Sequence, residues 1–197
     1  MSRLLYLTIL LFSLGGFTTK NKDEVKNFYG THETLTFDKV DFKLSASYHP
    51  NEHYYKQEYI PSGESADHFN SMLVIDFYIT EAPNKKLAEL KEKELDERKK
   101  TDAVANYEQF ENTALGEYIL DFILSDGKAD KLNVVEHNIY HYINYTDKSG
   151  HKGILLFGIS KRGYGDGITN FIKSVKENKI DNINKLSAYP VPKIEIK

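Results

Sequence analysis

The run Ser71 to Thr80 (SMLVIDFYIT) constrains the fold more than any other segment of the chain. Its dense β-branched and aromatic content predicts a central strand buried on both faces. Pro83 then opens Asn84 to Lys100 (NKKLAELKEKELDERKK), which predicts a long, exposed helix. Opposite charges stand at i,i+4 in Glu89 with Lys93, Glu94 with Arg98 and Asp96 with Lys100. Leu87, Ala88, Leu90 and Leu95 supply its one narrow apolar stripe.

Other strands follow from period-two alternation and turn signals. Thr34 to Phe37 and Val40 to Tyr48 (VDFKLSASY) alternate, with Val40, Phe42, Leu44 and Ala46 on one face, and His49-Pro50-Asn51 supplies a turn. Tyr54 to Ile60 stops at Pro61, and Ser62 to Ser65 is a loop that caps a short helical turn at Ala66 to Asn70. Glu117 to Leu124, Leu132 to Tyr145 and Gly153 to Ser160 form an antiparallel meander, with turns at Ser125-Asp126-Gly127 and Asp147 to Gly150. After Gly163 to Gly167, apolar residues from Ile168 to Leu186 keep helical spacing; Pro190 and Pro192 end the helix, and Lys193 to Lys197 (KIEIK) is a candidate edge strand. The expected fold class is α+β, a mainly antiparallel sheet of roughly six strands with an inserted charged helix and a C-terminal amphipathic helix packed on it.

Arg3 followed by the uncharged apolar run Leu4 to Phe17 reads as a secretory signal peptide. The run is shorter than the ~20 residues that cross a hydrocarbon core. The expected organisation is residues 1–19 as the signal peptide, 20–27 as a polar tether and 28–197 as one α+β domain, exported to the periplasm or the extracellular space, with no membrane span after cleavage. The alternative is an uncleaved leader that anchors the domain.

Composition excludes several functions. The chain of 197 residues has 40% hydrophobic and 28% charged residues, the balance of a folded domain. Its formal charge of -3 leaves no footprint for nucleic acid. The absence of cysteine removes disulfides, thiol nucleophiles and cysteine metal sites.

His49-Pro50-Asn51-Glu52-His53 has the H-x-x-E-H order of inverted zinc metallopeptidases, which need both histidines one helical turn apart. The strand-like flanks and Pro50 oppose that helix, and a third ligand such as Asp130 or Glu136 would be needed. His137 and His141 fall on one face of a strand about 13 Å apart at ~3.3 Å per residue, too far to share an ion. Gly163-Tyr164-Gly165-Asp166-Gly167, beside Lys161 and Arg162, lies where a phosphate loop would sit, but its spacing fits neither phosphate motif and Asp166 suits an N-cap. No serine lies in G-x-S-x-G, and Asn144-Tyr145-Thr146 is a glycosylation sequon that matters only in a eukaryotic secretory pathway. No catalytic, cofactor-binding or metal residue is assigned, and no cofactor is implied.

The 14 tyrosines cluster at Tyr48, Tyr54, Tyr55 and Tyr59 and at Tyr140, Tyr142 and Tyr145, as recognition surfaces and ordinary strand packing both require. The leading function is therefore an exported, non-enzymatic protein that binds another envelope protein or a small ligand. The alternative is a small secreted metal-dependent hydrolase using His49, Glu52 and His53, or a site near His137 and His141.

A cysteine-free chain rich in Lys, Asn, Ile and Tyr behind such a leader resembles uncharacterised exported proteins of Gram-negative, Bacteroidota-like bacteria. The order of strands, inserted helix, further strands and terminal helix is similar to the Mog1/PsbP-like sandwich. That resemblance implies a non-catalytic binding role and carries over no residue.

Overall fold

The computed structural model describes residues 25–112, 114–128 and 131–196. The expected signal peptide and most of the expected tether lie outside these residues. Two four-stranded meanders make up the sheet. The first is β1 (Thr34–Phe37), β2 (Val40–Asn51), β3 (Tyr54–Pro61) and β4 (Ser71–Ile79); the second is β5 (Asn106–Asn112), β6 (Glu117–Lys128), β7 (Lys131–Thr146) and β8 (Lys152–Tyr164). Helix α1 (Asn84–Arg98) carries the chain from one to the other, and α2 (Ile168–Ser187) follows β8 through a single 3-10 turn, Gly165–Gly167.

The strands form one antiparallel sheet in the order β1-β2-β3-β4-β8-β7-β6-β5. The expected sheet of about six strands thus has eight. Asn106–Asn112 (NYEQFEN) was missed because it is polar; pairing with β6 over its whole length makes it an edge strand. Strands β4 and β8 join the two halves at the centre, running in register from Ser71 opposite Lys161 to Ile79 opposite Gly153. At that last rung a Cβ on residue 153 would lie 2.0 Å from the Tyr78 carbonyl oxygen, so only glycine fits the approach.

Alternation along the central strands builds two cores. Leu73, Ile75, Phe77, Leu155, Phe157 and Ile159 face α2, whose Ile183 and Leu186 close over them. Met72, Val74, Ile154 and Leu156 share the other face with Leu120, Phe122 and Tyr142, and the Ala88 and Leu95 side chains of α1 belong to the same cluster. Helix α1 sits against β5, β6 and β7. On the α2 face, Tyr29 fills the space over β3 and β4, its hydroxyl donating to the Tyr55 carbonyl at 2.7 Å and the Ile75 carbonyl at 3.1 Å.

Several boundaries differ from expectation. Strand β2 runs through His49 to Asn51, and a register shift between Leu44 and Ala46 takes the second half of the strand off the face of Phe42; Val40 is exposed. Ser125 to Gly127 lies inside β6 as an irregularity, not at its end. Ala66 to Asn70 forms no helical turn but a bridge between Ser65 and His68. Lys193 to Ile196, the described part of the expected edge strand, form no strand; instead Ile194 is buried, its carbonyl accepting from Lys148 N–H at 3.1 Å, while Glu195 N–H donates to the Tyr29 carbonyl at 2.9 Å. On α1 the charges pair at i,i+3, Lys86 with Glu89, Lys91 with Glu94 and Lys100 with Glu97, rather than in the expected i,i+4 combinations.

Because Leu95 is the deepest large side chain of α1 and Ile180 is 60% exposed on α2, the two truncations separate packing from helix propensity. Leu95→Ala should cost about 2–5 kcal/mol in denaturant unfolding and Ile180→Ala within about 0.5 kcal/mol.

Candidate functional site

The histidines singled out by spacing are not brought together. His49 lies on β2, its ring stacked on Tyr55 at 3.9 Å and its Nδ1 3.2 Å from the Tyr54 carbonyl, whereas His53 stands in the exposed hairpin beside Glu52 at 3.4 Å. The H-x-x-E-H order therefore spans a strand end and a turn rather than one face of a helix. Asp130 lies outside the described residues, and among the described residues no three His, Asp or Glu side chains form a set that could hold a metal ion.

His137 and His141 both point to the α2 side of β7, and each meets an acid on β6. His137 Nε2 is 2.6 Å from Asp121 Oδ1, and His141 Nε2 is 3.2 Å from Glu117 Oε2. Asp121 also receives Lys179 from α2 at 3.1 Å, and Lys179 pairs further with Glu108 of β5. Burial opposes the Asp121 charge, but hydrogen bonds from His137 and Lys179 outweigh it and hold the carboxyl below its ordinary range. For His141 burial wins over Glu117 and lowers its pKa, and its Nδ1 is buried without a hydrogen-bond partner. This network ties α2 to β5, β6 and β7.

The glycine loop does not form a phosphate cradle. Lys161 and Arg162 leave β8 on opposite faces, and Arg162 pairs with Glu136 at 2.6 Å while its guanidinium covers the Phe69 ring. The residue at the N-cap of α2 is Gly167 rather than Asp166, which lies within the 3-10 turn before it.

The tyrosine clusters divide between the faces. Tyr55 and Tyr59 are buried in the α2 core with Tyr145 against it, and Tyr142 is buried under α1. Tyr140 is half-buried against the α1-side core, as is Tyr78 of β4, which leaves Tyr48 and Tyr54 on the α1 side of β2 and β3. Tyr54 and Tyr78 are directly opposite in the β3–β4 register and stack with centroids 4.5 Å apart and planes inclined by 20°. Both hydroxyls point to one carboxylate: Asp76 Oδ2 accepts from Tyr54 at 3.2 Å and, at a long 3.5 Å, from Tyr78.

Asp76 is the unusual group of this layer. It is buried in the central strand opposite Lys56, which pairs at 2.8 Å with Glu58, and its Oδ1 has no hydrogen-bond partner among the described residues. Burial pushes its pKa up to about 6 against the pull of Lys56 and of the Tyr54 hydroxyl. Burial, reinforced by Asp76, also raises the phenols of Tyr54 and Tyr78. The arrangement is a stacked aromatic pair anchored from beneath by a carboxylate, with Tyr48 standing 45% exposed beside it, directly opposite Lys56. It provides aromatic contact area, with the Tyr54 and Tyr78 hydroxyls already turned to Asp76, rather than a nucleophile with an adjacent base. The readable signal for this site was a lone carboxylate within an apolar central strand, which is costly unless partnered.

Fold and site together define an antiparallel α+β protein whose sheet carries one helix on each face and a tyrosine layer beside α1. The chain belongs to an uncharacterised protein family, whose model matches residues 29–191. No curated protein and no solved structure matches it. No helix among the described residues is long and apolar enough to cross a membrane.

Since the folded pKa of Asp76 lies above the ordinary carboxyl value of 3.8, its favourable neutral form is lost as pH rises towards about 6. Asp76→Asn should therefore gain stability over the parent across that window, reaching roughly 2–3 kcal/mol at neutral pH and little or none near pH 3. Urea unfolding of both proteins from pH 3 to 8 measures the difference; a constant offset would show that Asp76 does not titrate there.

Proposed function

We propose that the protein is an exported, non-enzymatic binding protein that engages another envelope protein through the face made by Tyr48, Tyr54 and Tyr78. The observation that carries this reading is the stacked Tyr54–Tyr78 pair, anchored on Asp76, with the exposed Tyr48 beside it. Aromatic groups held in place before binding lose little conformational entropy on association, and tyrosine is enriched among residues that dominate interfaces. His49 stacks on Tyr55 while His53 stands with Glu52 in the exposed hairpin, and His137 and His141 each pair with a different acid, which favours this reading over the metal-dependent hydrolase. Export rests on Arg3 and the apolar run Leu4 to Phe17. The Mog1/PsbP-like order of elements points to a binding role by analogy alone.

Cross-linking in the envelope of the native host, followed by affinity measurement with the captured protein, tests the proposal. Tyr48→Ala should weaken that complex by about tenfold or more while leaving the unfolding midpoint nearly unchanged, because Tyr48 is largely exposed. Unchanged affinity for Tyr48→Ala and Tyr54→Ala, or a parent protein confined to the cytoplasm, would refute it.

A further inference from the structure

On the opposite face of the sheet, Lys161 points from β8 towards α2. Its Nζ donates to Asn182 Oδ1 at 3.0 Å, and among the described residues no carboxylate lies within ion-pair distance of it. The other cation nearby differs: Lys185 already serves Asp38 at 3.0 Å and Asp181 at 2.9 Å. The Asp38 contact is set by the tight β1–β2 turn, in which Asp38 and Lys39 are both left-handed, at φ 46° and 69°. At the other end, Gly163 lets α2 sit directly on β8, since a Cβ there would lie 2.5 Å from Phe171.

Between these two fixings is an open recess of about 230 Å³, whose lining includes Lys161 and Asn182, Phe171 and Val175, and Asp38, Asp181 and Lys185. Burial, with repulsion from Lys185, lowers the pKa of Lys161 against the pull of Asp38 and Asp181. The amide of Asn182 accepts from Lys161 through its oxygen, which leaves its NH2 group as a second donor beside the ammonium. Two adjacent donors suit the two oxygens of one carboxylate. Asp38 and Asp181, which also line the recess, oppose a dianion such as phosphate more strongly than a monoanion, and the Phe171 and Val175 side chains favour an apolar substituent.

We propose that this recess binds a small carboxylate with a short apolar chain, its anionic head on Lys161 Nζ and the Asn182 amide and its chain against Phe171 and Val175. The site is separate from the tyrosine face, so either proposal stands without the other.

Titration of the 15N-labelled protein with butyrate, its neutral isostere butyramide and inorganic phosphate tests it by NMR. Butyrate should shift the amides of Lys161, Ser174, Asn178 and Asn182 saturably, with affinity on the order of millimolar and at least tenfold above butyramide and phosphate. Lys161→Met and Asn182→Asp should each lose the butyrate response while keeping the dispersion of a folded spectrum; Asn182→Asp removes the amide donor by placing a negative charge there. Equal responses to butyrate and butyramide, an equal response to phosphate, no saturable shift, or a response retained in both variants would overturn it.

Discussion

The pairing of β4 with β8 is the interaction on which the rest of the molecule depends. Each meander is local, built by short turns, but the two become one sheet only where Ser71–Ile79 lies along Gly153–Lys161. That contact closes a loop containing α1, β5, β6 and β7, so its entropic cost is met late and by apolar burial on both faces. Register there is decisive: a slip by one residue would exchange the residues facing α1 with those facing α2. Gly153 enforces it sterically, because the Tyr78 carbonyl occupies the place of a Cβ.

From this register follows the placement of every charged group of interest. With Leu73, Ile75 and Phe77 committed to the α2 core, Asp76 must face the α1 side, opposite Lys56 on β3 and Leu156 on β8. Tyr54 and Tyr78 then stand on the adjoining rung and can reach its carboxylate. On β8 the same alternation sends Lys161 to the α2 side and Arg162 to the other, which dissolves the basic dipeptide into two unrelated environments. On β6 and β7 it aligns Glu117 and Asp121 with His141 and His137, and Lys179 locks that ladder to α2.

The sequence made the central strand, the charged helix, the amphipathic helix and the β6–β8 meander readable, because each has a period or a turn that depends on neighbouring residues alone. It concealed β5, whose polar residues become a strand through a partner supplied by the fold. It also concealed how far β2, β6 and β8 run, since Pro50, Gly127 and Gly163 look like stops but sit inside long twisted strands or at a bulge. The tyrosine clusters were visible as composition, yet only the fold separates Tyr55, Tyr59 and Tyr142, buried in the two cores, from Tyr48, Tyr54 and Tyr78, which share the α1 side with Tyr142 but are less covered. Asp76 is masked by its apolar neighbours in SMLVIDFYIT, because a buried carboxylate acquires meaning only through its phenol donors, which the fold supplies.

Interstrand nuclear Overhauser effects across β4 and β8 test the central claim most directly. The structure predicts backbone proton contacts of Val74 with Gly158 and of Asp76 with Leu156. Contacts of Asp76 with Leu155 or Phe157 as its direct opposite would contradict it, for that register would turn the carboxylate into the apolar α2 core and dismantle the tyrosine layer built upon it.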